Sequence, residues 1–205
     1  MYITCLDLEG VLAPEIWLEF AAARNLPELN ITTRDEPDYD KLMKFRLNVL
    51  KENNLGLKEI QETISNMELL PNAKDFLDEL RSFSQVIIIS DTFTQFANPL
   101  MDKLAWPTIM CNELIVDSDG MITGYRMRVH DSKLSTINAL QQSMGYEAIS
   151  AGDSYNDVGM IRASKGGGFL FRSTDGIKAE NPDIPAIETY DELLAGIRNI
   201  MMNRP

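Results

Sequence analysis

The chain has 205 residues, 44% of them hydrophobic and 24% charged, which is enough for one α/β core of ordinary size plus a sizeable insertion. With 31 acidic against 19 basic residues the net charge is -12; such a surface repels nucleic-acid phosphates, and no Lys/Arg-rich run offsets it, so no nucleic-acid partner is expected. No apolar run approaches the roughly 20 residues of a membrane span, no basic-then-apolar leader opens the chain, and two distant cysteines (Cys5, Cys111) make neither a disulfide framework nor a zinc pattern, so a cytoplasmic setting without a membrane partner is expected.

The first predicted element is a short apolar, β-prone strand that begins at Tyr2 and ends at Asp7-Leu8-Glu9-Gly10. At period two, Asp7 and Glu9 project from the same side of extended backbone, and Gly10 supplies a turn where backbone can approach a ligand closely. A strand followed by a plain acidic turn is the other reading of this stretch alone. Pro14 is well placed early in a helix that continues through Ile16, Trp17, Phe20 and Ala23 to about Arg24. Residues 25–38 are polar and turn-rich. Leu42, Phe45 and Val49 predict a second amphipathic helix, and Leu57, Ile60 and Ile64 a third, with Asn53, Asn54 and Gly56 between them. Because no strand pattern occurs between Pro14 and Leu70, residues 14–70 read as a helical domain inserted into a core formed by 1–13 and 71–205.

The α/β pattern resumes with a helix over about Asn72–Phe83 and then Gln85–Asp91, the most strongly apolar strand and so the expected centre of the sheet. A helix near Thr94–Leu104 follows. Thr108–Val116 and Met121–Arg128 flank Asp117-Ser118-Asp119-Gly120 as a β-hairpin. A helix over Lys133–Met144, a strand at Ala148–Ala151, a helix over Tyr155–Ala163, a strand at Gly168–Phe171, a weak strand at Ala186–Ile187 and a helix from Asp191 to about Met202 complete the chain. The alternation predicts an α/β fold, a Rossmann-like doubly wound parallel sheet, with a small all-helical cap after the first strand and a β-hairpin near 114–128.

Distinctive polar groups stand directly after three of these strands: Asp7-Leu8-Glu9-Gly10, Ser90-Asp91-Thr92, and Gly152-Asp153-Ser154-Tyr155-Asn156-Asp157. A fourth, Lys133, opens a helix. Strand ends of one parallel sheet converge on one crevice, so these carboxylates, a hydroxyl and an ammonium can share a pocket. The hard oxygens of Asp7, Asp153 and Asp157 suit Mg²⁺, which takes a few carboxylates and keeps water or phosphate as its other ligands. Taken singly, Asp153 and Asp157 also read as helix-capping groups. The single histidine, His130, reads as a loop residue and leaves no basis for a His-based triad.

In this order the four runs resemble the haloacid dehalogenase-like (HAD) phosphohydrolase superfamily, whose motifs are Asp-x-Asp-Gly after a strand, a Ser or Thr after a strand, a Lys, and Gly-Asp-x-x-x-Asp. They are matched here by Asp7 to Gly10, Ser90, Lys133 and Gly152 to Asp157. The helical insertion and Gly-Asp-x-x-Asn-Asp look like the phosphoserine phosphatase branch. The segments Cys5 to Val11, Thr32 to Asp40, Ser90 to Phe93 and Ala151 to Asp157 resemble its ThrH-type subfamily, which joins phosphoserine phosphatase to phosphoserine–homoserine phosphotransferase activity. Two departures stand out. Glu9 occupies the place where the superfamily normally has Asp, and Asp91 the place where related phosphatases often have Gly; a negative charge there is unfavourable beside phosphate unless it points away.

The resemblance implies Asp7 as nucleophile, Glu9 as general acid–base, and Mg²⁺ held by Asp7, Asp153 and the Glu9 backbone carbonyl with Asp157 orienting the metal shell. It also implies phosphate contacts from Ser90, Asp91, Thr92, Lys133 and Asn156. The helical insertion would close over the substrate, with Arg46 gripping its carboxylate, Glu15 pairing with its ammonium, and Arg34 and Tyr39 lining the same cavity. The implied substrate is phosphoserine, with water or homoserine as acceptor; a HAD phosphatase for another small phosphorylated metabolite and a receiver-like phosphate-accepting module are the competing readings. The sequence does not fix the oligomeric state, a homodimer being one option.

Overall fold

The computed structural model describes residues 1–32, 35, 36 and 38–203. One sheet of seven strands runs through it: β1 (Tyr2–Leu6), β2 (Gln85–Phe93), β3 (Ile109–Val116), β4 (Ile122–Arg126), β5 (Glu147–Gly152), β6 (Gly168–Phe171) and β7 (Ala186–Ile187). The spatial order is β4-β3-β2-β1-β5-β6-β7, parallel throughout except for β4, which returns antiparallel beside β3. The geometric centre is therefore β1, not the more apolar β2. Both are buried on two faces, so apolarity alone does not separate the middle strand from its neighbour.

Alternate side chains feed two hydrophobic layers. Leu6, Ile88, Ile149 and Phe169 pack on one face beneath α4 (Ala73–Arg81), α5 (Thr94–Lys103) and α9 (Tyr190–Met202). Cys5, Ile87, Ile89 and Leu170 pack on the other beneath α6 (Ser132–Gln142), α7 (Tyr155–Ala163) and the short α8 (Asp175–Glu180). That one-residue alternation with helices on both sides is what a doubly wound sheet requires. The chain steps from β1 to β2 and β3 on one side, then crosses to β5, β6 and β7 on the other. The reversal places a crevice at the carboxyl ends of β2, β1 and β5.

Between β1 and α4 the described residues are helical: α1 (Ile16–Arg24), a 3₁₀ turn (Pro27–Asn30), α2 (Tyr39–Glu52) and α3 (Leu57–Asn66). Pro14 lies outside α1. The helix starts at Ile16 because Glu9 Oε2 accepts the Ile16 N–H at 3.1 Å, so a side chain seven residues back supplies the cap. The buried stripe of α1 is Ile16, Trp17, Phe20 and Ala21, with Ala23 exposed. In α2 it is Leu42, Met43, Arg46, Val49 and Leu50, while Phe45 faces outward. A polar residue thus sits within the inward face of α2. Helix α6 stops at Gln142, leaving Met144 exposed, and neither the 3₁₀ turn nor α8 carries enough apolar periodicity to be read in advance. The β3–β4 hairpin turns at Asp117–Gly120, where Asp117 Oδ1 accepts the N–H groups of Asp119 and Met121. Its Gly120 carbonyl takes the Leu57 N–H at 2.9 Å, and Tyr125 donates to Asp40, tying the hairpin to α2 and α3. Among the described residues no helix is long and apolar enough to cross a membrane.

Candidate active site

Strand β1 ends at Leu6, and the chain then makes one tight turn in which Leu12 and Ala13 N–H groups bond to Leu8 O and Gly10 N–H to Ala13 O. Leu8 is driven into the core, so Asp7 and Glu9 on either side of it both face the crevice. Asp7 is buried, with Oδ1 accepting the Leu8 N–H at 2.7 Å. Gly10 has φ +75°, and a Cβ there would lie 2.3 Å from Asp153 Cγ. Only glycine meets both demands, and its bare backbone lets the Asp153 carboxylate approach this turn.

At the end of β2, the pairing with β3 slips between Ile89 and Phe93, an irregularity that re-aims the strand as it reaches the crevice. Ser90 and Thr92 are buried there, and the Ser90 hydroxyl accepts the Thr92 N–H at 3.3 Å. Asp91 turns its carboxylate onto two donors, Ser132 Oγ at 2.6 Å and Asn156 Nδ2 at 3.0 Å. At the end of β5, Gly152 is the second position where backbone contact is obligatory, since a Cβ would lie 2.2 Å from Asp157 Cγ. Asp157 Oδ2 accepts from the N–H groups of Asp153 and Ser154 at 3.1 and 3.0 Å and from Ser154 Oγ at 3.0 Å, so it caps α7. Its Oδ1 receives Lys133 Nζ at 2.6 Å, and the same ammonium reaches Asp7 Oδ2 at 2.7 Å. Lys133 is the lysine that reaches the carboxylates.

One ammonium therefore faces three carboxylates, and oxygens of Asp7, Asp153 and Asp157 lie within 4.8 Å of one another. Burial disfavours the Lys133 charge, but Asp157, Asp7 and Asp91 outweigh it and hold its pKa well above the usual lysine value. Burial pushes Asp7 well above the usual carboxylate range; Lys133 opposes this and Asp157 and Asp153 reinforce it. Burial, then Asp157 and Glu15, push Asp153 up to about 7. A buried all-oxygen set with excess negative charge is the donor chemistry of a small divalent cation, so these residues fit Mg²⁺. Asp157, with both oxygens already engaged, is placed to orient Lys133 and Asp153. Glu9 is also driven well above the usual range, by burial first and then by the neighbouring Glu15 carboxyl, with which it shares a hydrogen bond. Burial pushes the Cys5 thiol up to about 12, which leaves it unreactive. His130 is an exposed loop residue.

These groups form the floor of a cavity of about 280 Å³. Its roof is the helical segment: Glu15, Trp17 and Leu18 from α1 and its cap, Thr32, and Tyr39 and Arg46 from α2. Arg46 is buried, its guanidinium 4.6 Å over the Trp17 ring, with Nη2 donating to Ile31 O at 2.9 Å and Nε without a hydrogen-bond partner among the described residues. Tyr39 packs edge-on against Tyr125 of β4 at 5.8 Å. Arg34 lies outside the described residues. Of the other sequence candidates, Asp7, Glu9, Glu15, Tyr39, Arg46, Ser90, Asp91, Thr92, Lys133, Asp153 and Asn156 line this one cavity, whereas Asp157 is fully buried and does not line it, reaching it only through Lys133 and the Asp153 backbone. Sequence reasoning missed Trp17, Ser132 and Asn112. Trp17 was read as an ordinary core position of an amphipathic helix. Ser132 stands next to Lys133 but is hidden by its commonness, and the fully buried Asn112, whose Nδ2 supports the Asp91 carbonyl at 3.0 Å, carries no signal in a β-prone run.

Comparison with known proteins gives a consistent picture. The chain is 46% identical over 193 residues to phosphoserine phosphatase ThrH of Pseudomonas aeruginosa, covering 94% of this chain and 93% of that protein. It is 47% identical over 191 residues to a phosphoserine phosphatase of Pseudomonas syringae pv. tomato, covering 93% of this chain and 80% of that one. The fold matches a solved phospho-aspartyl intermediate analogue of phosphoserine phosphatase with a TM-score of 0.77 at 20% identity, over 95% of this chain and 97% of the other. No protein-family model matches the chain.

Proposed function

Since the chain belongs to the family of ThrH-type phosphoserine phosphatases, we propose that it hydrolyses phosphoserine through an aspartyl-phosphate on Asp7 and also passes that phosphoryl group to homoserine. The observation that carries this reading is the convergence of Asp7, Ser90, Lys133 and Asp153 on the floor of one cavity whose roof bears Arg46. The same solid arrangement, an acid at a strand end under an ammonium, also belongs to phosphate-accepting modules without turnover. Glu9 and the helical roof favour an enzyme, because they add an acid–base group and a means of excluding water.

In the proposed reaction Asp7 attacks phosphorus in line and splits one difficult displacement into two easier ones. Lys133 and the Ser90 hydroxyl, both preorganised by burial, stabilise charge on the equatorial phosphoryl oxygens. Glu9, held above its usual pKa by burial and by Glu15, gives its proton to the departing serine oxygen. It then takes one from water or from the homoserine hydroxyl. Asp7, Asp153 and the Glu9 backbone carbonyl would hold Mg²⁺, with Asp157 orienting them, and bound Mg²⁺ would neutralise phosphoryl charge as it meets the carboxylates. Thr92 and the backbone around Asp91 and Asn156 complete the phosphate wall. At the roof, residues 14–70 act as the cap over a core of 1–13 and 71–205. Arg46 grips the amino-acid carboxylate with its fork of donors, Glu15 pairs with the ammonium, and Tyr39 and Arg34 shape the remaining wall. Serine and homoserine share those two groups and differ by one methylene, so one roof serves both. Both substrates and Mg²⁺ are small dissolved species, which suits a cytoplasmic setting.

Incubation with phosphoserine and Mg²⁺, with and without homoserine, followed by separation of inorganic phosphate from phosphohomoserine, tests both halves. Release of phosphate alone removes the transferase half. Preference for a different phosphorylated metabolite in a panel removes the substrate assignment. Asp7→Asn is expected to abolish phosphoenzyme and turnover together, and turnover retained in that variant rules out the covalent route.

A further inference from the structure

A carboxylate on the wall of a phosphate pocket raises the energy of every bound anion, so the side chain of Asp91 needs a reason to be there. Its oxygens are committed to different elements: Oδ1 accepts from Ser132 Oγ at 2.6 Å, at the first residue of α6, and Oδ2 accepts from Asn156 Nδ2 at 3.0 Å, in the first turn of α7. Its carbonyl is in turn fixed by Asn112 Nδ2 at 3.0 Å, and Asn112 Oδ1 takes the Arg128 N–H at 3.0 Å. One residue thus joins the end of β2 and the middle of β3 to the starts of α6 and α7. The start of α6 needs such support. Asp131, which precedes it, has φ 51° and ψ 58°, a strained left-handed conformation for a residue with a side chain, and makes no side-chain capping bond.

We propose that Asp91 is a positioning residue, which clamps the first turns of α6 and α7 together and so sets Lys133 and Asp157 in register with Asp7. The effect on catalysis rests on the phosphoserine reading above; the clamp itself does not. Neighbouring residues transmit it directly, since Ser132 precedes Lys133 and Asn156 precedes Asp157.

The test compares Asp91→Ala, Asp91→Asn and Ser132→Ala in the full chain, by steady-state kinetics on phosphoserine and by hydrogen exchange read by mass spectrometry on the substrate-free protein. Asp91→Ala is expected to lower kcat by on the order of 10²-fold, the penalty of slight misplacement of reacting groups, while leaving KM nearly unchanged because the Arg46 end is untouched. Asp91→Asn keeps an acceptor for Ser132 Oγ, and its new amide donor meets Asn156 once the Asn156 amide turns its oxygen toward it, so this variant is expected to restore most of kcat. Ser132→Ala combined with Asp91→Ala is expected to cost little more than Asp91→Ala alone, because Asp91→Ala has already removed the one bond to Asp91 that Ser132→Ala takes away. Amide exchange is expected to quicken in the first turns of α6 and α7 in Asp91→Ala and to stay unchanged elsewhere. Equal losses in Asp91→Asn and Asp91→Ala would show that charge, not clamping, matters and overturn the proposal, as would unaltered exchange in both first turns. Should the unmodified protein leave phosphoserine intact, the exchange measurement decides the clamp by itself, and only the substrate reading fails.

Discussion

Lys133 Nζ sits 2.7 Å from Asp7 Oδ2, a buried ion pair formed across 126 positions of sequence, and the same nitrogen holds Asp157 at 2.6 Å. Removing the ammonium strips two buried carboxylates of their partner. Lys133→Met keeps most of the side-chain volume and is expected to cost on the order of 10²–10³ in kcat, as loss of one preorganised donor to developing charge does. It is also expected to destabilise the metal-free fold by about 3–5 kcal/mol near neutral pH, because the uncompensated charges stay buried. Lower pH lets Asp7, whose carboxyl burial already holds well above the usual carboxylate range, take up a proton, so the stability loss should shrink between pH 7.5 and pH 5.5 in urea unfolding. A loss that does not change with pH would mean that packing, not charge, is what Lys133 supplies.

Gly10 supports the site by having no side chain. At φ +75° and with Asp153 Cγ 2.3 Å from where a Cβ would stand, Gly10→Ala forces the turn and the Asp153 carboxylate apart. The strain of a left-handed non-glycine residue, about 1 kcal/mol or somewhat more, should appear in thermal unfolding. The larger expected effect is on metal binding: the apparent Mg²⁺ affinity, by titration calorimetry, should fall by at least about tenfold as one ligand is displaced. Unchanged affinity in a folded Gly10→Ala protein would place Asp153 outside the metal set.

Arg46 presents a buried guanidinium whose Nε has no hydrogen-bond partner among the described residues, stacked on Trp17 and facing the cavity. An unsatisfied charged donor at that depth is costly unless a ligand completes it. Arg46→Ala is expected to raise KM for phosphoserine by about 10–100-fold with a smaller change in kcat, the pattern of lost ground-state binding. Arg46→Lys should recover little, since a point charge on a flexible stem neither forks onto a carboxylate nor stacks on the indole. Initial rates across a substrate range separate these outcomes, and a KM unchanged in Arg46→Ala would remove the carboxylate assignment.

The floor of the cavity is legible because its residues come as short runs at strand ends, and in an alternating α/β chain strand ends meet. Asp7, Ser90 and Asp153 are far apart in sequence, yet β2, β1 and β5 lie side by side. The roof was less legible. In α2 the apolar spacing of Leu42, Phe45 and Val49 suggests one face, whereas the buried face runs through Leu42, Met43, Arg46, Val49 and Leu50 and excludes Phe45, because it joins the hydrophobic core along most of its length and meets the polar cavity at Arg46. Local cap chemistry puts Pro14 in the helix, whereas the capping group is Glu9, whose reach depends on the turn after β1. Asp91 was legible as a departure but not as a clamp, since both of its partners, Ser132 and Asn156, arrive from elements that only the fold brings near.

Asp153 links pH to metal binding. Burial, and then the charges of Asp157 and Glu15, push its pKa up to about 7 from 3.8 in the unfolded chain. The folded, metal-free protein therefore holds a proton that the unfolded chain releases near pH 4. Between those values the unfolded state binds fewer protons, so this group makes the metal-free fold less stable as pH rises, with the loss complete above about pH 7. Mg²⁺ must displace the same proton. Its apparent affinity should then strengthen by up to about tenfold per pH unit on approaching pH 7 and level off beyond it. In a thermal-unfolding series at fixed Mg²⁺, the stabilisation by metal should accordingly be larger at pH 8 than at pH 6, and Asp153→Asn should shrink the difference to what Asp7 contributes. An equal metal-induced shift at both pH values would mean that Asp153 is already ionised at pH 6, and that the Asp157 and Glu15 charges are screened from it.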